Sequence, residues 1–301
     1  MVESVAEIPQ KKIKDYRSEV KPTWCPGCGD FGVLSAIQRA FAAKNLEPKD
    51  IVIVSGIGCS GRLPEFVNAY GIHVVHGRAL PTAAGVKLAN PDLTVIAVGG
   101  DGDGFAIGGG HVPHAVRRNV DITYIVMDNQ VYGLTKGQPS PTTPTGMAAL
   151  KRSTSMPKMA PYEGVLENQL NMLAMVLVYG GGFVSRTFSS QATQMSEIIG
   201  RAIDHNGFSF VQAMSPCPTF YNTYDPWKEA FVDLPEDWDS ADRIKAIDKV
   251  MYEERDGVFH SGIFYKTDDL PSYLTKMDSV YEKAYGGESV SSVDALLDQY
   301  A

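Results

Sequence analysis

Long apolar runs are missing from this chain of 301 residues. A helix that spans a membrane needs about 18 consecutive apolar residues, and the longest candidate, between Leu173 and Val184, is interrupted by three glycines. The first twelve residues, MVESVAEIPQKK, contain no apolar core of a secretory signal. The sequence therefore predicts a cytoplasmic protein without a membrane segment.

An excess of positive charge is missing as well. Lys and Arg together number 27 against 35 Asp and Glu, so the formal net charge is −8. Nucleic acid is excluded as the main partner, because phosphate binding needs a basic surface. The apolar content of 44% and the charged content of 21% are ordinary for a globular chain long enough for one large α/β domain or two small ones.

Cysteine is scarce, with four residues at positions 25, 28, 59 and 217. Without an export signal, disulfides are not expected, and metal or redox chemistry gains weight. Cys25 and Cys28 form a C-x₂-C pair, Cys59 follows a predicted strand, and Cys217 follows the last predicted strand, each in a loop rich in Gly or Pro. Four thiolates suit either a [4Fe–4S] cluster or Zn²⁺, and the spacing does not decide between them.

Apolar runs alternate with helical patterns from residue 30 to about residue 213. Strands are predicted at 51–55, 72–76, 93–98, 122–127 and 208–214, and helices near 33–41, 79–90, 104–118 and 190–205. This alternation predicts an α/β fold with right-handed βαβ units and a doubly wound, mostly parallel sheet.

Two stretches depart from this alternation. The segment 134–163 holds five prolines and many Ser and Thr, which predicts a functional loop, a lid or an arm towards another subunit. From residue 226 the chain becomes acidic and aromatic, with helical patterns near 240–255 and 270–285. We therefore expect one domain over residues 1–225 and a C-terminal extension, 226–301, packed on it.

The strongest local signal is a pair of polar loops after neighbouring predicted strands. GGDGDG covers 99–104 and DNQVYG covers 128–133, which places Asp101 and Asn129 28 residues apart. Glycines let the backbone approach a diphosphate closely. Asp101, Asn129 and a main-chain carbonyl near Val131 would suit Mg²⁺ held jointly with phosphates. The loops lack the GxGxxG spacing of a dinucleotide site.

The GDG triplet followed 28 positions later by Asn resembles the diphosphate-binding motif of thiamine diphosphate enzymes. Six segments in family order resemble the β subunit of 2-oxoacid:ferredoxin oxidoreductases, and the match runs from about residue 20 to 265. The segments are WCPGCGDFG (24–32), SGIGCSGR (55–62), HGRALPTAAGVKLANP (76–91), GGDGDGFAIGGGH (99–111), MDNQVYGLTKGQPSPTTP (127–144) and SPCPTFYNTYD (215–225).

The resemblance implies an activity, its cofactors and its partners. The implied activity is the coenzyme A-dependent oxidative decarboxylation of a 2-oxoacid, with electrons passing through a [4Fe–4S] cluster on the four cysteines to ferredoxin. The cofactors are thiamine diphosphate and Mg²⁺. The chain holds one diphosphate domain, so an α subunit is implied that supplies the pyrimidine-binding and coenzyme A-binding domains of at least a heterodimer.

Roles for individual residues follow from these motifs. We expect Arg62 to hold the substrate carboxylate and Lys136 to reach substrate or coenzyme A, while Asp103 supports the metal and Arg78 contacts phosphates. The residues expected to bind the cofactor are Gly58, Ser60, His76, Gly100, Asp101, Gly102, Asp103, Asn129, Val131, Tyr132, Gly133 and Leu134.

Two competing functions remain at this point. One is a non-redox thiamine enzyme with zinc on the four cysteines. The other is a non-enzymatic interaction subunit, which the presence of both Asp101 and Asn129 disfavours.

A basic N-terminal segment precedes Cys25 and is a candidate docking site for ferredoxin, which is typically acidic. The alternative is a loose, solvated tail. Its basic residues are Lys11, Lys12, Lys14, Arg17 and Lys21.

Overall fold

An eight-stranded sheet forms the centre of the protein. The computed structural model describes residues 9–147, 164–252 and 258–286. The sheet strands are β1 (Ile51–Ser55), β2 (Tyr70–His73), β3 (Thr94–Gly100), β4 (Thr123–Asp128), β7 (Phe183–Phe188), β8 (Ser209–Met214), β9 (Phe231–Asp233) and β10 (Phe259–Lys266). Two short strands, β5 (Val131–Tyr132) and β6 (Gln138–Pro139), pair with each other outside it.

The strand order is β2-β1-β3-β4-β8-β7-β10-β9. Every neighbouring pair is parallel except β7 and β10, which run antiparallel. Gly100 at the end of β3 pairs with Met127 near the end of β4, so the loops that follow these two strands begin side by side. The strands β1, β3, β4 and β8 therefore all end at one edge of the sheet.

Helices cover both faces of the sheet. They are α1 (Asp30–Ala43), α2 (Ala79–Ala89), α3 (Val112–Arg118), α4 (Met172–Val178), α5 (Ala192–Asp204), α6 (Tyr224–Ala230), α7 (Arg243–Tyr252) and α8 (Tyr273–Tyr285). In the ranges that the structure describes, no helix has the length and apolarity needed to cross a membrane.

Two hydrophobic cores lie on opposite faces of the sheet. Ile53 of β1 packs with α1 and α5 in one core, whereas its neighbours Val52 and Val54 pack with α2, α3 and α4 in the other. Alternate residues of a strand point to opposite faces, and all five residues of β1 are buried. Helices cover both faces of the sheet, so apolar residues are favoured on both sides of β1, and four of its five residues are apolar.

The predicted α/β fold with a mostly parallel sheet is confirmed, and the five predicted strands are present with shifts of a few residues at their ends. The helix expected at 104–118 is different. A π-helical turn (Asp103–Ile107) and a 3₁₀ turn (Gly109–His111) come first, and α3 begins only at Val112. Three consecutive glycines, 108–110, explain the break, because glycine disfavours the helix.

Three strands of the eight-stranded sheet were not predicted, and neither was the pair β5 and β6 outside it. β7 carries three polar residues, Ser185, Arg186 and Thr187, between apolar ends, and all three side chains are buried. β9 and β10 come from the segment expected to be an extension, and they hydrogen-bond into the sheet beside β7. The division into a domain and an extension stays a prediction. The expected loop at 134–163 is described only up to residue 147, where it contains β6; its remainder lies outside the described residues.

Candidate active site

A cavity of about 210 Å³ lies at the carboxyl edge of the sheet, among the loops that follow β1, β2, β3 and β4. All twelve residues predicted to bind the cofactor line this cavity. The other lining residues are Asp30, Ile57, Cys59, Met127 and Thr135. The parallel register brings these distant segments together, since each except that of Asp30 follows a strand that ends at the same edge.

Asp101 is the first residue after β3 and is buried. Its Oδ2 accepts hydrogen bonds from the hydroxyls of Ser140 and Thr142, the latter at 2.8 Å. Burial raises the pKa of the Asp101 carboxyl, and the nearby carboxyl of Asp128 raises it further. A bound cation would reverse both effects, so this carboxylate has the chemistry of a Mg²⁺ ligand.

Asp128, the last residue of β4, forms a buried pair with Asp101. The Thr142 hydroxyl lies 2.8 Å from Asp101 Oδ2 and 2.9 Å from Asp128 Oδ1. A hydroxyl has one hydrogen and can donate to only one of them, so the second contact is favourable only if the other carboxyl is protonated. Burial raises the pKa of Asp128, while a hydrogen bond from Gln212 lowers it. Burial and the nearby negative charge therefore favour a proton on one of these two carboxyls when no cation is bound.

Asn129 begins the second polar loop. Its Oδ1 accepts a hydrogen bond of 3.0 Å from the Val131 amide, which closes a tight turn in which Gln130 has a φ of 59°. The Tyr132 hydroxyl donates to the Gly102 carbonyl at 3.3 Å and ties the two polar loops together.

Gly102 is needed for this contact. A Cβ at residue 102 would lie 2.2 Å from Cε1 of the Tyr132 ring. A side chain there would fill the space between the loops that the ring now occupies. The close approach explains why the GDG triplet carries glycine at this position.

Asp103 joins the loops that follow β1 and β2. Its Oδ1 accepts hydrogen bonds from the amides of Ile57 and Gly77, at 2.9 Å and 2.8 Å, and lies 2.7 Å from His76 Nδ1. An ionised carboxylate is an acceptor only, so Nδ1 of His76 carries the hydrogen and Nε2 is left as the acceptor in the neutral ring. The contacts of Asp103 Oδ1 thus connect loops and orient His76.

The four cysteines are free and lie in three loops. The loop of Cys25 and Cys28 is held to that of Cys217 by a hydrogen bond of 3.0 Å from the Gly29 amide to the Pro216 carbonyl. A Cβ added to Gly133 would lie 3.6 Å from Cys59 Sγ and 3.7 Å from Cys217 Sγ. Two of the sulfurs therefore lie next to Gly133, a residue that lines the cavity.

Burial raises the pKa of Cys28, of Cys59 (to about 12) and of Cys217. The charge of Asp30 raises the pKa of all three thiols further, and those of Cys28 and Cys59 rise also because other cysteines are near. Deprotonation of these thiols costs free energy unless a cation is bound. The four cysteines therefore fit a group that supplies positive charge, as iron or zinc does.

No three His, Cys, Asp or Glu side chains of the described ranges meet in a way that could hold a single metal ion. A [4Fe–4S] cluster takes each thiolate on a different iron, and its ligands need not meet at one point.

Asp30 is a site residue that the sequence did not reveal. It is the first residue of α1, is 2% exposed, and lines the cavity beside Cys59. Its Oδ1 accepts a hydrogen bond of 2.5 Å from Ser215, and burial raises its pKa to about 6. The available signal was an acidic residue two positions after Cys28, at the start of a helical pattern.

The predicted substrate residues Arg62 and Lys136 do not line the cavity. The Arg62 guanidinium forms a salt bridge of 2.9 Å with Glu65 and lies over the Phe66 ring. Lys136 is exposed in a turn with a φ of 80°. Arg78 also lies outside the lining, and its guanidinium donates to the Gly77 carbonyl. Their predicted contacts with substrate or phosphate stay predictions.

A cavity at a parallel sheet edge, with a GDG loop and an Asn loop on adjacent strands, defines the class of the protein. Residues 56–213 match the family model of the thiamine pyrophosphate enzyme C-terminal TPP binding domain. Residues 217–282 match the model for the C-terminal part of the pyruvate ferredoxin oxidoreductase beta chain. The protein is therefore a member of the thiamine diphosphate-dependent class.

Individual relatives identify the family within that class. The chain is 42% identical over 236 residues to 2-oxoacid:ferredoxin oxidoreductase 1, subunit beta, of Aeropyrum pernix, covering 77% of this chain and 71% of that protein. It is 42% identical over 267 residues to the corresponding beta subunit of Saccharolobus solfataricus, covering 83% of each. The chain belongs to the family of 2-oxoacid:ferredoxin oxidoreductase β subunits, which confirms the resemblance carried by the motifs.

A solved structure agrees over the whole chain. It is 2-oxoglutarate:ferredoxin oxidoreductase from Magnetococcus marinus with 2-oxoglutarate, coenzyme A and succinyl-CoA bound. The TM-score is 0.89 at 40% identity, and the match covers 100% of this chain and 99% of the other.

Proposed function

We propose that this chain binds thiamine diphosphate, Mg²⁺ and a [4Fe–4S] cluster, and that with an α subunit it oxidatively decarboxylates a 2-oxoacid. In this reaction a 2-oxoacid anion and the coenzyme A thiol give an acyl-CoA thioester, CO₂, one proton and two electrons. Ferredoxin, a one-electron acceptor, takes the electrons singly. The family of the chain and the arrangement of its cavity both support this function.

The observation that carries the proposal is the position of Gly133. This residue lines the cavity with Asp101 and Asn129, and a Cβ built on it would touch the sulfurs of Cys59 and Cys217. A cofactor in the cavity and a cluster on the thiols would therefore be separated by one residue without a side chain. Such a short separation is what electron transfer between the two groups requires.

The chain's own residues divide the task of holding the cofactor. Asp101, the Asn129 side chain and the Val131 carbonyl would supply oxygen ligands to Mg²⁺, and diphosphate oxygens would complete its shell. Gly58 and Gly100 line the cavity and have no side chain, so the diphosphate would be able to approach their backbone closely. When bound, thiamine diphosphate supplies the electron sink that decarboxylation of a 2-oxoacid needs.

An α subunit would close the cavity. Exposed apolar side chains lie close to its mouth: Leu134 lines the cavity and is 56% exposed, Val75 precedes the lining residue His76, and Ile107 lies against Gly77. Large apolar side chains that stay exposed next to a polar site are typical of an interface. We infer that these side chains pack against the α subunit, which excludes water from the cavity.

Ferredoxin would dock near Cys25, the exposed member of the four cysteines. The N-terminal segment leading to Cys25 is anchored, because Tyr16 and Trp24 are buried against the body of the protein. Lys11 pairs with Glu47 at 2.6 Å, whereas Lys12 and Lys14 are exposed. The basic segment is thus held at the surface from residue 9 onward. We place the protein in the cytoplasm, where free cysteines and clusters persist in the reduced state.

Two variants of the αβ complex test the proposal. Asp101→Ala should lose bound thiamine diphosphate and Mg²⁺ and keep its iron and acid-labile sulfide, because the metal ligands and the thiols lie in different loops. Cys217→Ser should show the opposite pattern, with loss of the visible cluster absorbance. Both contents are measured on anaerobically purified protein.

The outcomes separate the competing functions. Zinc in place of iron, with thiamine diphosphate retained, would indicate a non-redox thiamine enzyme. Full occupancy of thiamine diphosphate in Asp101→Ala would overturn the assignment of this residue as a metal ligand.

A further inference from the structure

We propose that the hydroxyls of Ser140 and Thr142, here named the hydroxyl clip, position Asp101 so that its second oxygen faces the metal ion. The inference rests on the proposed function and adds two positioning residues to it. Neither residue lines the cavity itself, and neither was expected to act in the site from the sequence.

Both clip hydroxyls bind the same carboxylate oxygen. Ser140 Oγ and Thr142 Oγ1 donate to Oδ2 of Asp101, so Oδ1 is the oxygen that can turn to the cavity. All three side chains are at least nine-tenths buried. Hydrogen bonds from hydroxyl groups to a buried carboxylate are short and strong. Two such hydrogen bonds to one oxygen restrict rotation of the carboxyl plane.

The clip is anchored to the loop that carries Asn129. The Ser140 amide donates to Thr143 Oγ1 at 2.8 Å, and Thr143 Oγ1 donates to the Gln130 carbonyl at 2.7 Å. Any movement of the Asn129 loop is therefore transmitted to the clip and from the clip to Asp101. This connection fixes the distance between the two proposed metal ligands, Asp101 and Asn129, although they lie in loops that follow different strands.

A positioning role and a purely structural role predict different results. A group that orients a metal ligand contributes to metal affinity, and its loss typically weakens binding by about 10- to 100-fold. A loop anchor contributes to stability and leaves the affinity of the folded protein unchanged. The measurement that separates them is the dissociation constant of Mg²⁺ in the intact αβ complex, not its turnover.

The test compares three substitutions in complex stripped of metal and cofactor. Mg²⁺ is titrated by calorimetry at a saturating concentration of thiamine diphosphate, and the thermal midpoint is recorded in parallel. Thr142→Val, which keeps the shape and removes the hydroxyl, should weaken Mg²⁺ binding by about 10- to 100-fold. Thr142→Ser, which keeps the hydroxyl, should bind within a few-fold of the unmodified complex.

Thr187→Val is the matched control. Thr187 is fully buried in β7, and its hydroxyl makes no hydrogen bond among the described residues. This variant also loses a buried hydroxyl at constant shape, and its Mg²⁺ affinity should not change. If Thr142→Val does not assemble with the α subunit, Ser140→Ala decides by the same criterion, because it removes the other hydroxyl.

Two results would overturn the inference. One is a wild-type Mg²⁺ affinity in Thr142→Val, and the other is an equal loss of affinity in Thr142→Val and Thr142→Ser. A failure of the proposed function would look different, because the unmodified complex itself would then bind neither Mg²⁺ nor thiamine diphosphate.

Discussion

At the scale of the residue, the cavity is surrounded by buried carboxyl groups, and its described lining holds no lysine or arginine. Asp101 and Asp128 share a hydroxyl, and Asp30 lies beside the thiols of Cys28 and Cys59. Buried carboxylates of this kind lower stability unless a cation is bound. The positive groups implied by the family, Mg²⁺ and iron, would each compensate one of these two clusters.

Because of Asp30, the stability of the protein free of iron should depend on pH in a measurable way. Its pKa is raised from 3.8 in the unfolded chain to about 6 in the folded one. The folded state therefore holds the proton more tightly, and the stability gained is fully present below pH 3.8 and lost as the pH rises through 6. The linkage amounts to about 3 kcal/mol. Asp30→Asn should remove this pH dependence and raise the free energy of unfolding at pH 7.

Urea denaturation of the two proteins between pH 4 and pH 7 measures this difference. The amide oxygen introduced by Asp30→Asn would still accept the hydrogen bond of Ser215, so folding is preserved. Parallel stability curves for the two proteins across that range would contradict the assignment of the raised pKa to Asp30.

The sequence revealed those site residues whose role only a few amino-acid types can fill. Gly102, Asp101 and Asn129 stand in short motifs directly after apolar runs, so their side-by-side position follows from a parallel sheet. Ser140 and Thr142 give no such signal, because a Ser/Thr-rich loop is ordinary and their partner lies about 40 residues earlier. Their contact depends on how the loop folds back over β3, which no local pattern encodes.

At the scale of the element, the packing of α1 is closer than that of α5. In α1, a Cβ at Gly32 would lie 2.2 Å from the Ser189 carbonyl oxygen, a backbone atom in the loop after β7. In α5, a Cβ at Gly200 would meet nothing within 4 Å. α1 can approach the end of the sheet only because residue 32 lacks a side chain.

Two substitutions of the same kind should therefore change stability in opposite directions. Gly32→Ala forces α1 and the Ser189 loop apart and should lower the free energy of unfolding by about 1–3 kcal/mol. Gly200→Ala, the matched control, should raise it by about 0.4–1 kcal/mol, because alanine loses less backbone entropy on folding. Denaturant midpoints compared at constant slope measure both. Equal effects of the two changes would mean that α1 is not tightly packed at Gly32.

The strands that were predicted from the sequence are those that consist mainly of consecutive apolar residues. β1, β3 and β4 are apolar runs with polar residues only at their ends, and β8 is apolar except for Ser209 and Gln212, because both faces of the sheet are covered. β7 was missed because Arg186 stands in its middle. The guanidinium is buried between the rings of Phe259 and Phe264, and its Nε donates to Gln212. These three partners belong to β8 and β10. The sequence of β7 alone therefore does not show that Arg186 can be buried.

At the scale of the whole molecule, the charge is unevenly placed for a protein that would meet an acidic electron carrier. The net charge of −8 repels such a partner at long range, so attraction must come from a local surface. Lys12 and Lys14 are exposed in the anchored segment that leads to Cys25. Salt at 0.1 M ionic strength would screen their effect beyond about 10 Å.

Replacing Lys12 and Lys14 with Gln should lower the rate of ferredoxin reduction by the αβ complex at low salt and flatten its salt dependence. Charges at the rim of an interface act mainly on the association rate. Lys276→Gln with Lys283→Gln on α8 is the matched control, since it removes the same charge from another exposed site. Reduction of a small neutral dye should be unaffected in both variants. An equal loss with ferredoxin and dye would exclude docking at this segment.

The hydrogen bond between Gly29 and Pro216 closes the thiol site from distant parts of the chain, which has a consequence for biosynthesis. A ribosome delivers about 5–20 residues per second, so roughly 10–40 s pass between the emergence of Cys28 and that of Cys217. During this interval the first three thiols have no fourth partner and stay open to oxygen and to stray metals. The cluster proposed above would therefore assemble only after Cys217 has emerged, and slow translation between residues 28 and 217 would lower the yield of loaded enzyme.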